Sequence, residues 1–329
     1  MQSPEGEFVT TVESAAVGER FDKVVCTYLP DFSRSFITQL IQDGHITIAG
    51  RIRKPSYRVK EGEIIAGRVP PREPATLEPE PIPLDILFED ADIIVINKPA
   101  DLVVHPGPGN ASGTLVNGLL YHCPELGGNR AAQRPGIVHR LDKDTTGAIV
   151  VAKNRQTLDH LSLQFKSRSV RKSYLALVHG DVKSNSGTIS LPIGRHPVNR
   201  KKMSTNSHSC RDALTRWQVQ QRYGAATLLE LDLKTGRTHQ IRVHCAAIHH
   251  PVIGDPVYGS GKRTRHAIGG SKLATILASA QRQMLHARYL ELTHPISQRR
   301  MSFEAPLAAD MQALIADLDS FLADKQTGY

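Results

Sequence analysis

Cysteine is scarce in this sequence and follows no pattern typical of a metal or redox site. The 329 residues include four cysteines, Cys26, Cys123, Cys210 and Cys245, with no Cys-x-x-Cys pair among them. A zinc ribbon and a dithiol redox site both need such a pair. Scattered thiols are typical of reduced proteins, which predicts a cytoplasmic location.

Long apolar runs and an N-terminal signal are also missing. No run approaches the roughly 20 apolar residues of a membrane span. Residues 1–7 have neither the basic region nor the apolar core of a secretory signal. We therefore expect a soluble protein with no membrane partner.

Acidic residues are outnumbered by basic ones. The chain has 41 Lys and Arg against 32 Asp and Glu, a net charge of +9, and its pI is near 9.4. This balance favours a polyanionic partner such as nucleic acid, although many basic proteins bind none. The length allows a large domain plus a small one.

A proline-rich stretch divides the chain. Its prolines are Pro70, Pro71, Pro74, Pro79, Pro81 and Pro83. Such a stretch forms neither a helix nor a central strand. We predict a linker over residues 71–83, between domains over residues 15–70 and 84–325.

The first domain has the pattern of two helices followed by short strands. Apolar residues recur at helical spacing after Phe21 and again after Ile37, and an alternating Ile46-Thr47-Ile48 follows. Short hairpin strands are predicted from Ile46, through a turn at Ala49-Gly50, to Gly62. Basic residues cluster there, namely Arg51, Arg53, Lys54, Arg58 and Lys60. Their charge fits a solvated surface as well as a face that contacts phosphates.

Several motifs in this domain resemble a known RNA-binding module. They are Arg20-Phe21-Asp22-Lys23, Ser33-Arg34-Ser35, Gly44-His45-Ile46 and Lys54-Pro55-Ser56-Tyr57-Arg58-Val59. The order is similar to that of the alpha-L module of ribosomal small-subunit protein four. The resemblance implies an RNA-binding domain, with Arg51, Arg53, Lys54 and Arg58 as RNA contacts.

The second domain is strand-rich. Runs of strand length with β-branched or apolar residues cover residues 92–97, 148–152, 173–178 and 226–232, and the C-terminal stretch from Leu307 to Leu322 has helical spacing. Residues 238–247 fit a helix or a strand.

Two polar segments are candidates for chemistry. Residues 136–147 concentrate ionisable side chains just before an apolar run, where burial and neighbours perturb pKa values. Asp142 and Asp144 are its candidate catalytic carboxylates, and a structural salt bridge is the alternative. Residues 234–244 form the second segment, which suits an anion site or a capped turn.

A metal site was considered and is not expected. His139, Asp142, His239 and His244 are ligand types, but His239 and His244 are not spaced to face one ion from a helix, and no His-Glu-x-x-His frame is present.

Six ordered motifs together resemble the RluA-type RNA pseudouridine synthases. They are Asn97-Lys98-Pro99, Val103-Val104-His105-Pro106, the stretch from His139 to Gly147, Lys172-Ser173-Tyr174, the stretch from Gly236 to His244, and the stretch from Gly254 to Gly259. The resemblance implies an α+β fold with a central mixed, largely antiparallel sheet flanked by helices. It implies an isomerase that needs no cofactor and no metal.

The same resemblance assigns roles to individual residues. Asp142 is the implied catalytic carboxylate, Arg242 its charge partner and Tyr174 the ring that stacks on uracil. Ile241 is expected to line the uracil pocket, and Arg140 to fill the space that a flipped uridine leaves. Asp101 and Thr146 depart from the family pattern, where Gly and Ser are commoner.

Within the family, the chain most resembles the bacterial synthases of large-subunit ribosomal RNA. This implies 23S ribosomal RNA or a pre-50S particle as partner, the helix 69 stem-loop as target and a monomer. Two alternatives stay open: a synthase for other ribosomal or transfer RNA uridines, and a catalytically silent RNA-binding assembly protein.

Overall fold

The chain folds into two compact units. A computed structural model describes residues 6–30, 32, 34–70, 77–107, 109–128, 135–199, 202–207, 209–259 and 272–326. Unit 1 spans residues 1–76 and unit 2 spans residues 77–329. Ser33 and linker residues 71–76 lie outside the described residues.

Unit 1 packs two helices on a small antiparallel sheet. The helices are α1 (Phe21–Tyr28) and α2 (Arg34–Gln42), and the strands are β1 (Glu7–Thr11), β2 (Ile46–Ile48) and β3 (Ile64–Arg68), in the order β1-β3-β2. The apolar faces of both helices bury Phe21, Ile37 and Ile41 completely. This burial holds the unit together, because each helix is too short to be stable alone.

Two details of unit 1 differ from the prediction. Strand β1 lies before residue 15, where the prediction began the domain, and it pairs with β3 along its whole length. The predicted hairpin is confirmed in its first strand, β2, and in the bridge of Ile48 to Arg51 across the turn, but residues 51–62 contain no strand beyond isolated bridges at Arg51 and Arg58. The strand that follows the turn is β3, which begins at Ile64.

Unit 2 is built on one large mixed sheet. Its strands are β4 (Ile86–Glu89), β5 (Ile93–Lys98), β6 (Thr146–Ala152), β7 (Arg171–His179), β8 (Ser186–Ser190), β12 (Leu214–Arg222), β13 (Ala226–Leu233), β14 (Leu285–Thr293) and β15 (Arg300–Glu304). The order is β4-β5-β6-β14-β7-β13-β12-β8, with β15 paired to β14. Only the pairing of β6 with β14 is parallel among the described strands. The predicted α+β class with a largely antiparallel sheet is confirmed.

A second, small sheet projects from the end of β8. It contains β9 (Ile193–Arg195), β10 (Met203–Ser204) and β11 (Cys210–Arg211), in the order β10-β9-β11. Met203 packs with Ile193 and Tyr258 in a minor apolar cluster. The small sheet is therefore fastened to the loop that follows α5.

Helices cover the faces of the large sheet. They are α3 (Leu115–His122), α4 (Arg155–Ser167), α5 (Gln240–Ala247), α6 (Lys272–Ala278) and α7 (Ala309–Gln326). Strand β6 is buried at every position because helices lie over both of its faces. The unsettled segment 238–247 is a helix from Gln240 onward.

The second half of the predicted linker packs on unit 2. Leu77 and Ile82 contact its main core, and the Glu80 N–H donates to the Asn117 carbonyl at 3.0 Å. The Asn117 amide in turn donates to the Glu78 carbonyl at 2.8 Å. An extended proline-rich chain still offers apolar side chains and carbonyls, so these residues belong to unit 2.

No helix within the described ranges is both long and apolar enough to cross a membrane.

Candidate active site

A large open cavity lies in unit 2, with a volume of about 1110 Å³. Its wall combines the loop before β6, the first half of β7 and the start of α5. Five of the residues predicted from the sequence line it, namely Arg140, Asp142, Tyr174, Ile241 and Arg242. The fold thus joins segments that lie 100 positions apart in the chain.

Asp142 occupies a tight turn that leads into β6. The turn is closed by the Thr145 N–H, which donates to the Asp142 carbonyl at 3.1 Å. The Asp142 side chain is 16% exposed, and its Oδ2 accepts a hydrogen bond from Arg242 Nη1 at 3.0 Å. Its Oδ1 lies 3.9 Å from Nε2 of His239. The carboxylate is therefore open to the cavity and held by a cation on one oxygen.

Arg242 is shared between two carboxylates. Its Nε and Nη2 donate to Asp255 at 2.6 and 2.9 Å, while Nη1 reaches Asp142. The Asp255 side chain is completely buried, and its Oδ1 also accepts from the N–H groups of Val257 and Tyr258. This bidentate pair fixes the plane of the guanidinium. Asp255 lies in the motif from Gly254 to Gly259, but the sequence assigns it no role. A sequence does not show which carboxylate a distant arginine contacts.

The two buried charges stabilise each other. Burial alone would lower the pKa of Arg242, but the hydrogen bond and charge of Asp255, reinforced by Asp142, raise it above its usual range. Burial would raise the pKa of Asp255, yet the Arg242 hydrogen bond and charge hold it below its usual range. Arg242 is thus a permanent cation beside Asp142.

Tyr174 lies on β7, with its ring in the main core and 8% of its surface exposed. Burial, and then the negative charge of Asp142, raises the pKa of the Tyr174 phenol. The ring stays neutral at physiological pH and offers an aromatic wall beside the carboxylate.

Ile241 and Arg140 both line the cavity, and they differ in exposure to solvent. Ile241, the second residue of α5, is 4% exposed and forms part of the apolar floor. Arg140 is exposed, two residues before Asp142. The cavity therefore offers an apolar contact at Ile241 and an exposed cation at Arg140.

Comparisons with known proteins agree with this geometry. The family described as RNA pseudouridylate synthase matches residues 92–247, and the S4 domain matches residues 19–65. The ribosomal large subunit pseudouridine synthase D of Xylella fastidiosa is 43% identical over 309 residues, which cover 94% of this chain and 92% of that protein. The protein of the same name from Escherichia coli K12 is 42% identical, with coverages of 94% and 93%.

This chain belongs to the RNA pseudouridine synthase family. Among solved structures, human RNA pseudouridylate synthase domain containing 4 is similar at a TM-score of 0.56 and 28% identity, covering 71% of this chain and 92% of that one. The predicted family, fold and isomerase class are confirmed. The roles of individual residues remain proposals.

The predicted RNA contacts of unit 1 are placed on its surface. Arg51, Arg53, Lys54 and Arg58 are all exposed. The Arg53 guanidinium lies 5.1 Å from the centre of the Tyr57 ring, and Arg58 donates to the Gly18 carbonyl at 2.9 Å. None of the four lines the synthase cavity.

Lys98 lies in the motif Asn97-Lys98-Pro99, but the sequence does not predict that its side chain is buried. Its side chain is completely buried, and Nζ donates to the carbonyls of Pro99, Leu102 and Lys143 at 2.7, 2.8 and 2.8 Å. Burial lowers the pKa of Lys98 to about 7, partly offset by the charges of Asp144 and Asp142. Lys98 thus ties the loop after β5 to the residue that follows Asp142.

Asp101 departs from the family's usual glycine without changing the loop. Its φ is 62°, the left-handed region that glycine favours and that Asp tolerates better than most residues. Its carboxylate pairs with Lys143 at 2.8 Å on the surface. The position therefore still has the backbone conformation that a glycine would adopt.

The histidines considered as metal ligands have other contacts. His244 bonds Thr215 Oγ1 at 2.8 Å and the Leu191 carbonyl at 2.9 Å, so both ring nitrogens are occupied. His139 accepts the Val150 N–H at 3.0 Å and stacks on Phe165. Within the described ranges, neither belongs to a group with metal-site spacing.

Proposed function

We propose that this synthase isomerises uridine to pseudouridine in 23S ribosomal RNA, within the helix 69 stem-loop, and that Asp142 is its catalytic carboxylate. The observation that carries the proposal is the Asp142–Arg242 pair, 3.0 Å apart on the wall of a cavity that also presents Tyr174. The relatives support large-subunit ribosomal RNA as the substrate, because two of them are large-subunit synthases by name. The helix 69 target is what the resemblance of the motifs implies.

The reaction breaks one bond to the ribose and makes another. The C1′–N1 bond is cleaved, the uracil turns, C5 joins C1′, and the C5 proton is lost while N1 gains one. An ionised carboxylate starts this sequence, either by attacking C1′ as in retaining glycosidases or by removing the C2′ proton. Arg242 serves both routes because its Nη1 holds one oxygen of the Asp142 carboxylate in place.

The cavity wall suits a base that must turn in place. Tyr174 offers a flat apolar face that stacks on uracil in either orientation. Ile241 adds an apolar contact that demands no particular hydrogen-bonding edge. Extruding the uridine costs a few kcal/mol, and Arg140 lies at the cavity mouth, where its side chain would occupy the vacated space.

Unpaired cations on the wall favour a polyanionic substrate. Lys166, Arg168 and Lys172 line the cavity, and none of them forms an ion pair with a described residue. Lys172 is half-buried and lies 5.4 Å from the centre of the Phe165 ring. RNA phosphates would supply the missing counter-charges.

Deleting the gene should remove pseudouridine from the helix 69 stem-loop and from no other site. Mapping of pseudouridines in ribosomal and transfer RNA from the deletion strain measures this. Re-expression of the wild-type chain should restore the sites, and the Asp142→Asn chain should not. Loss of other uridine modifications with helix 69 intact would contradict the proposed target, and restoration by Asp142→Asn would favour a silent assembly protein.

Neutralising the basic surface of unit 1 should weaken RNA binding and its dependence on salt. The variant is Arg51→Gln, Arg53→Gln and Lys54→Gln in the full chain. Each lost phosphate contact should reduce the slope of log Kd against log salt by about 0.7–0.9. Titrations of a stem-loop RNA at several salt concentrations measure the slope.

A control with the same change of net charge is available in unit 2. Arg155, Lys183 and Arg288 are exposed cations that each face a surface carboxylate, and none lines the cavity. Their replacement by Gln should leave the slope nearly unchanged. Equal slopes for the two triple variants would show that the unit 1 surface does not contact RNA.

A further inference from the structure

One carboxylate oxygen of Asp142 is not bound by Arg242 and faces a histidine. Arg242 binds Oδ2, whereas Oδ1 faces Nε2 of His239 at 3.9 Å. His239 precedes α5 as its N-cap residue and lines the same cavity. Its side chain is 19% exposed. Its second ring nitrogen, Nδ1, lies against the hydroxyl of Tyr258.

That tyrosine fixes the state of the ring. The Tyr258 hydroxyl accepts the Met203 N–H at 2.8 Å and lies 2.9 Å from Nδ1 of His239. Among the described residues, Nδ1 of His239 is the acceptor within reach of the Tyr258 hydroxyl, so we assign the hydroxyl proton to Nδ1. A neutral imidazole that accepts at Nδ1 carries its own proton on Nε2. That proton faces Asp142.

The surroundings favour the neutral ring. Burial lowers the pKa of His239, and the charge of Asp142 only partly offsets this. The rings of His239 and Tyr258 meet edge to face at 5.7 Å, and the Arg242 guanidinium lies 5.3 Å from the centre of the Tyr258 ring. Asp142, Arg242, Tyr258 and His239 therefore form a closed ring of contacts.

The backbone supports a role for this position. His239 adopts φ 56°, a left-handed conformation that few residues other than Gly, Asn, Asp and His accept. Such conformations outside glycine cluster at functional sites.

We propose that His239 is a positioning residue for Asp142: its Nε2–H, oriented by Tyr258, donates to Oδ1 when substrate closes the gap. Hydrogen bonds of a catalytic group are often long in the free enzyme and shorten in the complex. One donor leaves a carboxylate free to rotate about its bond, whereas donors on both oxygens fix its plane. A neutral donor does this without adding a second cation.

This inference rests on the proposed role of Asp142. It adds that Met203, on the small sheet, reaches the catalytic carboxylate through Tyr258 and His239.

Two substitutions of His239 test the hydrogen bonds of Nε2 and of Nδ1 separately. The amide of Gln occupies the place of Nε2 and keeps a donor toward Asp142. The amide of Asn occupies the place of Nδ1, so it keeps an acceptor for Tyr258 and loses the donor. Asn tolerates the left-handed backbone, and Gln298 adopts φ 55° in this chain, so a loss of rate in either variant is not assigned to strain.

The measurement is the single-turnover rate of tritium release from RNA that contains C5-tritiated uridine, together with the Kd for that RNA. A hydrogen bond to a charged group is worth about a 10- to 100-fold change in rate. We expect His239→Asn to lose about that much with Kd unchanged, and His239→Gln to stay within a few-fold of wild type. A His239→Asn enzyme as fast as wild type, or a His239→Gln enzyme as slow as His239→Asn, would overturn the proposal.

Tyr258→Phe tests the orientation of the ring. It keeps the aromatic face over Arg242 and removes the hydroxyl, so the ¹⁵N shifts of His239 should change from the Nε2–H tautomer to a mixture. The matched control is Tyr223→Phe, whose hydroxyl bonds Asp319 at 2.9 Å outside the cavity. It should leave both tautomer and rate unchanged. A wild-type ring with its proton on Nδ1 would also overturn the proposal.

The assay keeps the two proposals apart. Tritium is released by isomerisation at any uridine, so the result does not depend on helix 69. If Asp142→Asn releases tritium at the wild-type rate, the proposed catalytic role of Asp142 fails. If Asp142→Asn is inactive and His239→Asn is not impaired, only the role of His239 fails.

Discussion

Asp142→Asn is expected to abolish pseudouridine formation while leaving RNA affinity unchanged. The amide has the size of the carboxylate but neither attacks C1′ nor accepts the C2′ proton. A carboxylate that only moves protons accounts for about 10²- to 10⁴-fold in rate, and one that forms a covalent bond for more. Binding depends on phosphate contacts spread over the surface, which this change leaves intact. Tritium release and a binding titration on the same protein measure the two effects.

The matched control is Asp144→Asn in the same loop. Asp144 also lines the cavity, and its backbone carbonyl accepts from Arg282 at 2.9 Å. This contact survives the substitution, so the loop should keep its shape and most of its activity. An active Asp142→Asn enzyme beside an inactive Asp144→Asn enzyme would transfer the catalytic role to Asp144.

Arg242→Ala is expected to remove activity and to lower the free energy of unfolding of unit 2 by about 3–5 kcal/mol, the usual cost of breaking a buried ion pair. Most of this loss should come from Asp255, whose side chain is 0% exposed and would be left charged without a partner. Asp142 is more exposed and should contribute less. Urea unfolding monitored in unit 2 measures the change.

A double variant separates stability from catalysis. Arg242→Met with Asp255→Asn removes both buried charges, and the Asn carbonyl still accepts from Val257 and Tyr258. This pair should regain most of the lost stability without regaining activity. If Arg242→Met alone is as stable as the double variant, Asp255 does not need its counter-ion.

The same pair predicts a dependence on pH. In the folded protein the pKa of Asp255 lies below its usual value of 3.8. Its stabilisation is therefore present above that value and is lost as the pH falls through the folded pKa. In Arg242→Ala the buried, unpaired Asp255 should have a raised pKa. The stability difference from wild type should therefore be largest near about pH 7 and shrink toward about pH 4 as Asp255 is protonated.

The sequence was sufficient for the cavity residues because they lie in dense ordered motifs. Asp142, Tyr174 and Arg242 were each identified before any geometry was known, and the fold places all three on one wall. The sequence predicts Asp142 as a partner of Arg242 but does not predict Asp255. Its strongest hydrogen bonds go to Asp255, and the pairing of residues in separate loops follows from tertiary packing rather than from local pattern.

Secondary structure was predictable where one face is buried and one is open. The sequence of helix α5 fits a helix or a strand, because Gln240 to Cys245 are all buried and no polar stripe reveals the helical period. Strand β1 was missed because no residue in it is fully buried. The basic stretch from Arg51 to Lys60 contains β-compatible residues but pairs only through isolated bridges at Arg51 and Arg58, and its basic side chains are exposed.

The position of β14 in the sheet has a consequence for synthesis of the chain on the ribosome. This strand lies between β6 and β7, and its His286 meets Thr146 across a separation of 140 residues. Until β14 has left the exit tunnel, the two halves of the sheet have no strand to join them. Contacts over such separations form late and slowly. The turn that carries Asp142 feeds directly into β6, so a nascent chain acquires its catalytic geometry only after β14 has been translated.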